Sequence, residues 1–136
     1  MRFIQATNAK HHAALIRLQR ICLPHDIPYD KNGWYWLGFD GDEPVAFCAM
    51  AQSRRWCDTV YLARAGVLET HRGLGLQKRM ISIRESFARR RGYNWVVTDT
   101  TDNPASANSL IAKGYRLFTP SAPWAYNSSL YWRKRL

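Results

Sequence analysis

The sequence of 136 residues has few cysteines and no long apolar segment. Its three cysteines, Cys22, Cys48 and Cys57, are odd in number and scattered, which argues against a disulfide framework and predicts a reducing, cytoplasmic location. The longest apolar run, Pro44–Ala51, is far shorter than the roughly 20 residues that a membrane span needs. The first ten residues are polar and mixed, without the pattern of a signal peptide. We therefore expect a protein that does not associate with membranes.

Acidic residues are nearly missing from the second half of the chain. Residues 71–136 contain three acidic and twelve basic residues, whereas residues 1–70 contain seven and eight, and the whole chain carries a formal charge of +10. Fifteen of the twenty basic residues are Arg, whose planar guanidinium suits phosphate. The excess predicts either an anionic partner, such as a phosphorylated cofactor or a nucleic acid, or a surface that is charged only for solubility.

The length and the apolar content predict one folded domain over residues 1–136. Apolar residues make up 46% of the chain and aromatic residues 13%, which excludes a disordered chain. Hydrophobic periodicity predicts the order β-α-β-β-β-α-β-α-β-β, an α/β (α+β) fold with a sheet of mixed strand direction. The strands are predicted at residues 2–7, 34–39, 44–53, 59–68, 93–100, 115–118 and 129–133.

Three helices are predicted between these strands, and residues 24–32 are predicted as a loop or short helix. The first helix begins after the capping residue Asn8, and the third begins at Asn103 and ends at Gly114. The second helix spans residues 76–91 and ends at Gly92, with a buried stripe at Leu76, Met80, Ile83 and Phe87. Glu85 and Arg89 are predicted to form an ion pair on its outer face.

The segment most informative about function joins the strand at 59–68 to the second helix. It contains Gly73 and Gly75, and Lys78 and Arg79 follow. Backbone N–H groups at a helix N-terminus bind anions, and glycine lets the chain approach a phosphate closely. The segment is neither the dinucleotide-binding fingerprint, because Lys78 stands at the third glycine position, nor a Walker A loop. An isolated Gly-x-Gly is more often an ordinary turn.

In its context the segment resembles the pyrophosphate-binding motif of the GNAT superfamily of N-acetyltransferases, Arg/Gln-x-x-Gly-x-Gly/Ala. It reads Arg72-Gly73-Leu74-Gly75-Leu76-Gln77, and Gln77 departs from the small residue of the family. The family element Asn-x-x-Ala-x-x-Leu-Tyr-x-x-x-Gly-Phe is matched at Asn103, Gly114 and Tyr115, with substitutions at Ser106, Ser109 and Leu110. The resemblance covers essentially the whole chain. It implies a central, mostly antiparallel mixed sheet of six to seven strands, splayed at the acetyl-CoA site and flanked by helices.

The resemblance also implies which residues hold acetyl-CoA between the strands 59–68 and 93–100. The backbone near Ala65 and Val67 would pair with the pantetheine arm, and a Val67 N–H would polarise the thioester. Asn103 would bind the arm from the other side. The pyrophosphate would lie on the N–H groups of the loop, and Lys78 and Arg79 would reach the outer phosphates together with Arg72. The loop positions are Arg72, Gly73, Leu74, Gly75, Leu76 and Gln77.

Acetyl transfer to an amine needs a base for the ammonium proton and an acid for the leaving thiolate. The usual acid of the family is a tyrosine, and Leu110 occupies its position. Tyr61 lies where family members often carry a base-associated residue, and Asp99 is the carboxylate nearest to the expected thioester. These two residues are the catalytic candidates, although Tyr61 could simply pack on the sheet and Asp99 could cap a turn. Proximity alone can also drive much of this chemistry.

Other patterns are less informative. His11, His12, Cys22 and His25 lack a metal-binding arrangement, and no metal is predicted. Half of the acidic residues fall within residues 26–43, where they either line the acceptor entrance and favour a cationic amine or serve as turn residues: Asp26, Asp30, Asp40, Asp42 and Glu43.

The leading hypothesis is an acetyl-CoA-dependent N-acetyltransferase acting on a primary amine, as a monomer or homodimer. Two basic clusters, Arg89–Arg91 and Arg133–Arg135, are not explained by the cofactor and are candidates for weak nucleic-acid contact. They support two alternatives, an acyltransferase acting on a nucleic acid or a nucleic-acid-associated protein, and a catalytically inactive nucleic-acid-binding or regulatory module.

Overall fold

A mixed β-sheet with helices on both faces forms the fold in a computed structural model, which describes residues 1–26 and 32–136. Within those residues the element order is the predicted one, with an additional short 3₁₀ turn at Glu69–His71. The strands are β1 (Arg2–Gln5), β2 (Trp34–Asp40), β3 (Glu43–Gln52), β4 (Thr59–Val67), β5 (Trp95–Thr100), β6 (Arg116–Phe118) and β7 (Leu130–Arg135). The helices are α1 (Ala9–Cys22), α2 (Leu76–Arg90) and α3 (Pro104–Ala112).

The seven strands found in the described residues lie in the order β1-β2-β3-β4-β5-β7-β6. Only β4 and β5 run parallel, and every other neighbouring pair is antiparallel. This confirms the predicted mixed, mostly antiparallel sheet. Helix α2 connects β4 to β5, as a parallel pair requires.

Two apolar layers cover the sheet. On one face, Leu15 and Leu18 of α1 pack against a buried cluster that includes Phe47 of β3. On the other face, Met80 of α2 packs in a larger cluster with Val96 of β5, joined by residues of α3. Side chains alternate between the two faces along regular strands such as β5, so the face of each β5 residue follows from its position.

The predicted helix ends are confirmed. The Asn8 side chain accepts a hydrogen bond from the His11 N–H, and Asn103 accepts one from the Ser106 N–H. Gly92 and Gly114 follow α2 and α3 with positive φ angles of 84° and 88°, a left-handed conformation that glycine adopts without strain.

The predicted ion pair between Glu85 and Arg89 is wrong. Glu85 is only 3% exposed, accepts a 2.8 Å hydrogen bond from the Tyr115 hydroxyl, and lies 3.0 Å from Lys134 Nζ. Burial, and next the nearby charge of Glu85, raise the pKa of Tyr115 well above its ordinary range, so that the tyrosine remains a donor.

None of the helices in residues 1–26 and 32–136 has the length and apolar character needed to cross a membrane.

Candidate active site

The two parallel strands separate part-way along their length. Strands β4 and β5 are paired only from Thr59 to Tyr61, opposite Trp95 to Val97. The next hydrogen bond between them comes from a side chain, because Thr98 Oγ1 donates to the Leu62 carbonyl oxygen at 2.8 Å. Beyond that contact, β4 continues to Val67 and β5 to Thr100 without pairing with each other. The sheet is therefore splayed where the resemblance implies a cofactor.

A cleft of about 140 Å³ occupies the splay. Strands β4 and β5 form its walls, and α2 and α3 close it on the helix side. Polar groups from both helices and from β5 face the same space as the apolar residues of β4. The lining residues are Leu62, Ala63, Ala65, Gln77, Ile81, Arg84, Thr98, Asp99, Thr100, Asn103, Ser106, Ser109 and Leu110.

The wall formed by β4 offers an open backbone edge. Ala65 and Val67 pair with Cys48 and Ala46 of β3 on one side, whereas no strand pairs with them on the side of β5. An extended group with amides can add to such an edge like another strand. Ala65 lines the cleft, whereas Val67 is buried and does not, so their contact with a pantetheine arm stays a prediction.

A bulge bends β4 at the closed end of the cleft. The pairing with β3 shifts between Cys48 and Met50, so that two β4 residues, Ala63 and Arg64, lie opposite Ala49. Such a bulge disrupts the regular ladder and redirects the strand. The freed backbone group is used, because the Ala49 carbonyl oxygen accepts a hydrogen bond of 3.1 Å from Arg84 Nη1.

The loop before α2 has the backbone conformation of an anion site. Gly73 and Gly75 have φ angles of 77° and 75°, and no atom beyond the adjoining residues lies within 4 Å of a Cβ built on either one. Gly75 precedes the first helical residue, and no side chain caps this end of α2. The N–H groups of the first turn are therefore available for an anion.

Basic residues surround this loop, but not all of them point to it. Arg72 is exposed, and its Nε lies 3.4 Å from the Val67 carbonyl oxygen, beside the open edge of β4. Lys78 is exposed on the first turn of α2. Arg79 instead stacks on the Phe3 ring of β1, with its guanidinium carbon 4.9 Å from the ring centroid.

Of the remaining predicted cofactor residues, Gln77 and Asn103 line the cleft, whereas Leu74 and Leu76 do not. Leu74 is 64% exposed at the tip of the loop, whereas Leu76 is buried in the core. Gln77 and Asn103 both line the cleft. The Oδ1 atom of Asn103 is used to cap α3, which leaves its amide N–H groups for a ligand.

Tyr61 and Asp99, the two predicted catalytic residues, are in contact. The Tyr61 hydroxyl donates a 2.7 Å hydrogen bond to Asp99 Oδ2, and Trp124 Nε1 donates to the same oxygen at 2.9 Å. The other carboxylate oxygen, Oδ1, has no hydrogen-bond partner in the described parts of the chain. Asp99 also borders the cleft. The two hydrogen bonds to Oδ2 therefore hold this carboxylate in place beside the cleft.

The environment of Tyr61 keeps its hydroxyl protonated. Burial raises the pKa of Tyr61 far above its ordinary range, and the charge of Asp99 and the hydrogen bond to it raise the pKa further. The charge of Asp26 acts in the same direction, whereas Arg64 opposes it. Tyr61 is therefore a hydrogen-bond donor to Asp99 rather than a proton acceptor.

Aromatic rings surround the Asp99 carboxylate on the α1 face of the sheet. The Trp124 ring lies 4.6 Å from that of Tyr131 and 6.5 Å from that of Tyr61, measured between centroids. Trp56, which is 39% exposed, and Phe118 complete the cluster. These rings exclude water from one side of the carboxylate and fix the Trp124 indole that binds it.

The acidic residues predicted near the acceptor entrance do not form one group. Among the described ones, Asp26 is close enough to Tyr61 for its charge to raise the pKa of the tyrosine. Asp40 pairs with His71 at 2.8 Å and lines a separate groove, together with Asp42 and Glu43, between α1 and the β2–β3 turn. Asp30 lies outside the described residues.

The two predicted basic clusters are also divided by the fold. Alternation along β7 directs Lys134 to Glu85 on one face, while Arg133 on the other face stacks over the Phe118 ring at 4.8 Å. At the end of α2, Arg91 stacks on the Phe87 ring at 4.6 Å. Part of the positive charge is thus engaged within the molecule.

His11 and Cys22 show no sign of a metal site. The His11 Nδ1 atom accepts a hydrogen bond from the Thr7 N–H, which fixes the start of α1. Across residues 1–26 and 32–136, no three side chains of the metal-binding types are grouped together.

The sequence matches the family model described as acetyltransferase (GNAT) family over residues 6–132. The chain belongs to the GNAT acetyltransferase family. Members of this family use acetyl-CoA as the acetyl donor, which agrees with the splayed strands and the glycine loop of this chain. No curated protein matches the sequence significantly.

Solved structures of similar fold include several acetyltransferases. The IAA acetyltransferase from Bacillus cereus has a TM-score of 0.77 at 15% identity, with 99% of this chain and 100% of that chain covered. An acetyltransferase from Bacillus subtilis in complex with CoA has a TM-score of 0.76 at 17% identity, covering 99% and 98%. The ribosomal-protein-S18-alanine N-acetyltransferase from Escherichia coli has a TM-score of 0.74 at 11% identity, covering 98% and 94%. At these identities the similarity shows the fold alone.

The contact of Trp124 with Asp99 and the buried position of Arg84 were not predicted. Trp124 lies in an irregular segment, and its contact with Asp99 joins residues 25 positions apart. Arg84 is 3% exposed and lines the cleft, although an arginine on a helix is usually solvent-exposed. The spacing of Met80, Arg84 and Phe87 places the arginine on the buried stripe of α2. The burial of Arg84 could have been predicted from this spacing.

Proposed function

We propose that this chain is an acetyl-CoA-dependent N-acetyltransferase that acetylates a primary amine by direct attack in a ternary complex. The observation that carries the proposal is the Asp99 carboxylate, which borders the cleft with one oxygen held and the other without a partner in the described residues. A fixed carboxylate suits an ammonium group and can accept its proton.

The residues present fit the cofactor that the family uses. The N–H groups of Arg72–Gln77 would hold the pyrophosphate, because Gly73 and Gly75 leave room for a close approach. The open edge of β4 at Ala65 and Val67 would pair with the amides of the pantetheine arm. Arg72 and Lys78 would reach the outer phosphates, and the Asn103 amide would donate from the opposite wall. When bound, acetyl-CoA would supply an acetyl group activated as a thioester.

Asp99 is the proposed base. It would take a proton from the acceptor ammonium, and the amine nitrogen would then form a bond to the acetyl carbon while the carbon–sulfur bond breaks. The sulfur would keep the electron pair and leave as a thiolate, and the second proton that the nitrogen loses on becoming an amide would pass to solvent. Tyr61 retains its proton throughout, so its role is to position Asp99 together with Trp124.

The experiment that tests this proposal is a steady-state assay of CoA release with acetyl-CoA and a panel of aliphatic, aromatic and peptide amines. Asp99→Asn preserves the shape of the side chain and removes its basic function. We expect turnover to fall about 100-fold or more, while acetyl-CoA affinity, measured by calorimetry, stays within a factor of about two. Asp102→Asn is the matched control, because Asp102 is exposed and its positive φ of 49° is tolerated by Asn.

Two further variants separate the base from its supports. Tyr61→Phe and Trp124→Phe each remove one hydrogen bond to Asp99 Oδ2, so we expect losses smaller than that of Asp99→Asn. Turnover of Asp99→Asn equal to that of the wild type would refute the role of Asp99. Products acetylated on oxygen, identified by mass spectrometry and hydroxylamine sensitivity, would refute amine transfer.

A further inference from the structure

Arg84 is a buried cation that the proposed proton chemistry does not use. Its side chain is only 3% exposed and lines the cleft from α2. Its Nε donates to the Met80 carbonyl oxygen at 3.1 Å, and its Nη1 donates to the Ala49 carbonyl oxygen at 3.1 Å. A guanidinium has five N–H donors, so three remain without a partner in the described chain.

Arg84 has no ion-pair partner in the part of the chain that the structure describes. Within the described residues, no acidic oxygen lies at ion-pair distance from its guanidinium, and the neighbouring Glu85 is bound to Tyr115 and Lys134. Burying a charge without a counter-ion is unfavourable by several kcal/mol. A buried, unpaired cation beside a cleft therefore indicates that the cleft receives negative charge.

The position of Arg84 along the cleft identifies which part of the ligand it meets. Arg84 follows Gly75 by nine residues, which corresponds to roughly 14 Å along the helix from the phosphate loop. It contacts Ala49 opposite the β4 bulge, level with the point where Thr98 bridges to Leu62. An extended arm anchored at the loop would thus place its far end, which carries the sulfur, near this cation.

We propose that Arg84 binds the sulfur of CoA and stabilises the thiolate that leaves during acetyl transfer. The inference rests on the proposed use of acetyl-CoA. Leu110, which stands where the family carries its tyrosine acid, also lines the cleft and offers no proton. A fixed cation performs the same task by another means, because it stabilises negative charge as it develops on sulfur without giving up a proton.

Other ionisable groups also face Arg84 and enter the interpretation of pH effects. Burial raises the pKa of the Cys48 thiol on β3 to about 11, with Arg84 opposing the rise, so Cys48 stays neutral. Tyr115 stays neutral for the reason given above. Asp99 borders the same cleft from β5, and α3 contributes only Ser106, Ser109 and Leu110 to this part of the lining.

The test is the pKa of the CoA thiol in its binary complex, measured by the ultraviolet absorbance of the thiolate. The complex with desulfo-CoA, which lacks the sulfur, is subtracted to remove the protein's own thiols. We expect the bound thiol to have a pKa at least one unit below the value of about 8.5 for a free thiol. Arg84→Met should raise that pKa by a unit or more, a tenfold change in thiolate stability. Arg90→Met, an exposed position on the same helix, should leave it unchanged.

The outcomes separate this inference from the proposed function. A thiol in the wild-type complex that titrates at or above its free value would overturn the role of Arg84, whether or not Arg84→Met folds. An unchanged pKa in a folded Arg84→Met would do the same, because a purely structural arginine predicts that result. If neither CoA nor desulfo-CoA bound, the cofactor assignment itself would fall, and this inference with it.

Discussion

At the scale of single residues, the site depends on charged side chains that hydrogen bonds hold in place; Arg84 and Glu85 are buried, and Asp99 is half-buried. Asp99 is held by two donors beside the cleft, and Arg84 is held by the carbonyl oxygens of Met80 on α2 and Ala49 on β3. Glu85 is held by Tyr115 and Lys134 behind the cleft. Buried polar groups of this kind are tolerable only when they have partners. Asp99 keeps acceptor capacity and Arg84 keeps donor capacity for a ligand, whereas the role of Glu85 is structural.

The structural role of Glu85 gives a prediction about stability. Lys134→Met removes the cation 3.0 Å from a carboxylate that is 3% exposed, while keeping the aliphatic stem. We expect the free energy of unfolding, from urea denaturation, to fall by about 1–3 kcal/mol, because a buried carboxylate loses a charged partner. Arg135→Met is the control on the same strand, where the side chain is exposed, and we expect a change below about 0.5 kcal/mol. Equal effects of the two changes would contradict this interpretation of Glu85.

Local patterns in the sequence were sufficient for some of these residues and not for others. The glycines that end α2 and α3, and the asparagines that begin α1 and α3, act within a few positions of the backbone they cap. The partners of Glu85 lie 30 and 49 positions away, and Arg84 meets Ala49 across 35 positions. Helical spacing places Arg84 on the buried stripe of α2, but the groups that Arg84 and Glu85 contact follow only from the tertiary structure.

At the scale of elements, the splayed strands and the helix that follows β4 together define the proposed cofactor site. The order of helices and strands along the chain and the glycine loop could be predicted because each has a local signal in the sequence. The bulge at Ala63 and Arg64 and the Thr98–Leu62 hydrogen bond could not, since both depend on the register between strands. The register also determines which face Tyr61 and Asp99 share, and therefore their contact.

The loop before α2 gives a prediction at this scale. Gly75→Asp would place a side chain and a negative charge in the proposed phosphate site, so we expect acetyl-CoA to lose its stabilising effect in thermal unfolding. Gly92→Asp is the matched control, because Gly92 has a similar positive φ and equally open space around its Cβ position. Both variants should lose comparable stability from backbone strain, and only Gly75→Asp should lose the ligand effect. Normal acetyl-CoA protection of Gly75→Asp would show that the pyrophosphate lies elsewhere.

At the scale of the whole molecule, the net charge of +10 exceeds what a cofactor requires. Several basic residues are engaged internally: Lys134 with Glu85, Arg91 with Phe87, and Arg133 with Phe118. Stacked arginines keep their charge, so the surface remains positive, but the two clusters in the sequence are not continuous patches. The family match and the site geometry favour the acetyltransferase over a nucleic-acid-binding module.

The surplus charge gives a prediction about nucleic acid. We expect weak, sequence-independent binding to a short DNA duplex at low salt and little at physiological salt, because no base-reading motif is present. Replacing Arg133 and Arg135 by Gln should reduce the slope of log affinity against log salt by roughly 0.9 for each phosphate that the variant no longer neutralises. Acetyl-CoA binding should not change. Tight binding at physiological salt, measured by fluorescence anisotropy, would instead favour a nucleic-acid-associated acceptor.

The central claim, that the splay between β4 and β5 holds acetyl-CoA with Asp99 on the acceptor side, is tested most directly by a crystal structure of the complex with CoA. We expect the pyrophosphate on the N–H groups of Arg72–Gln77 and the pantetheine paired with β4 at Ala65 and Val67. The sulfur should lie between Arg84 and the Asp99 side of the cleft. CoA bound outside the cleft between β4 and β5, or a cleft without CoA at saturating CoA, would contradict the claim.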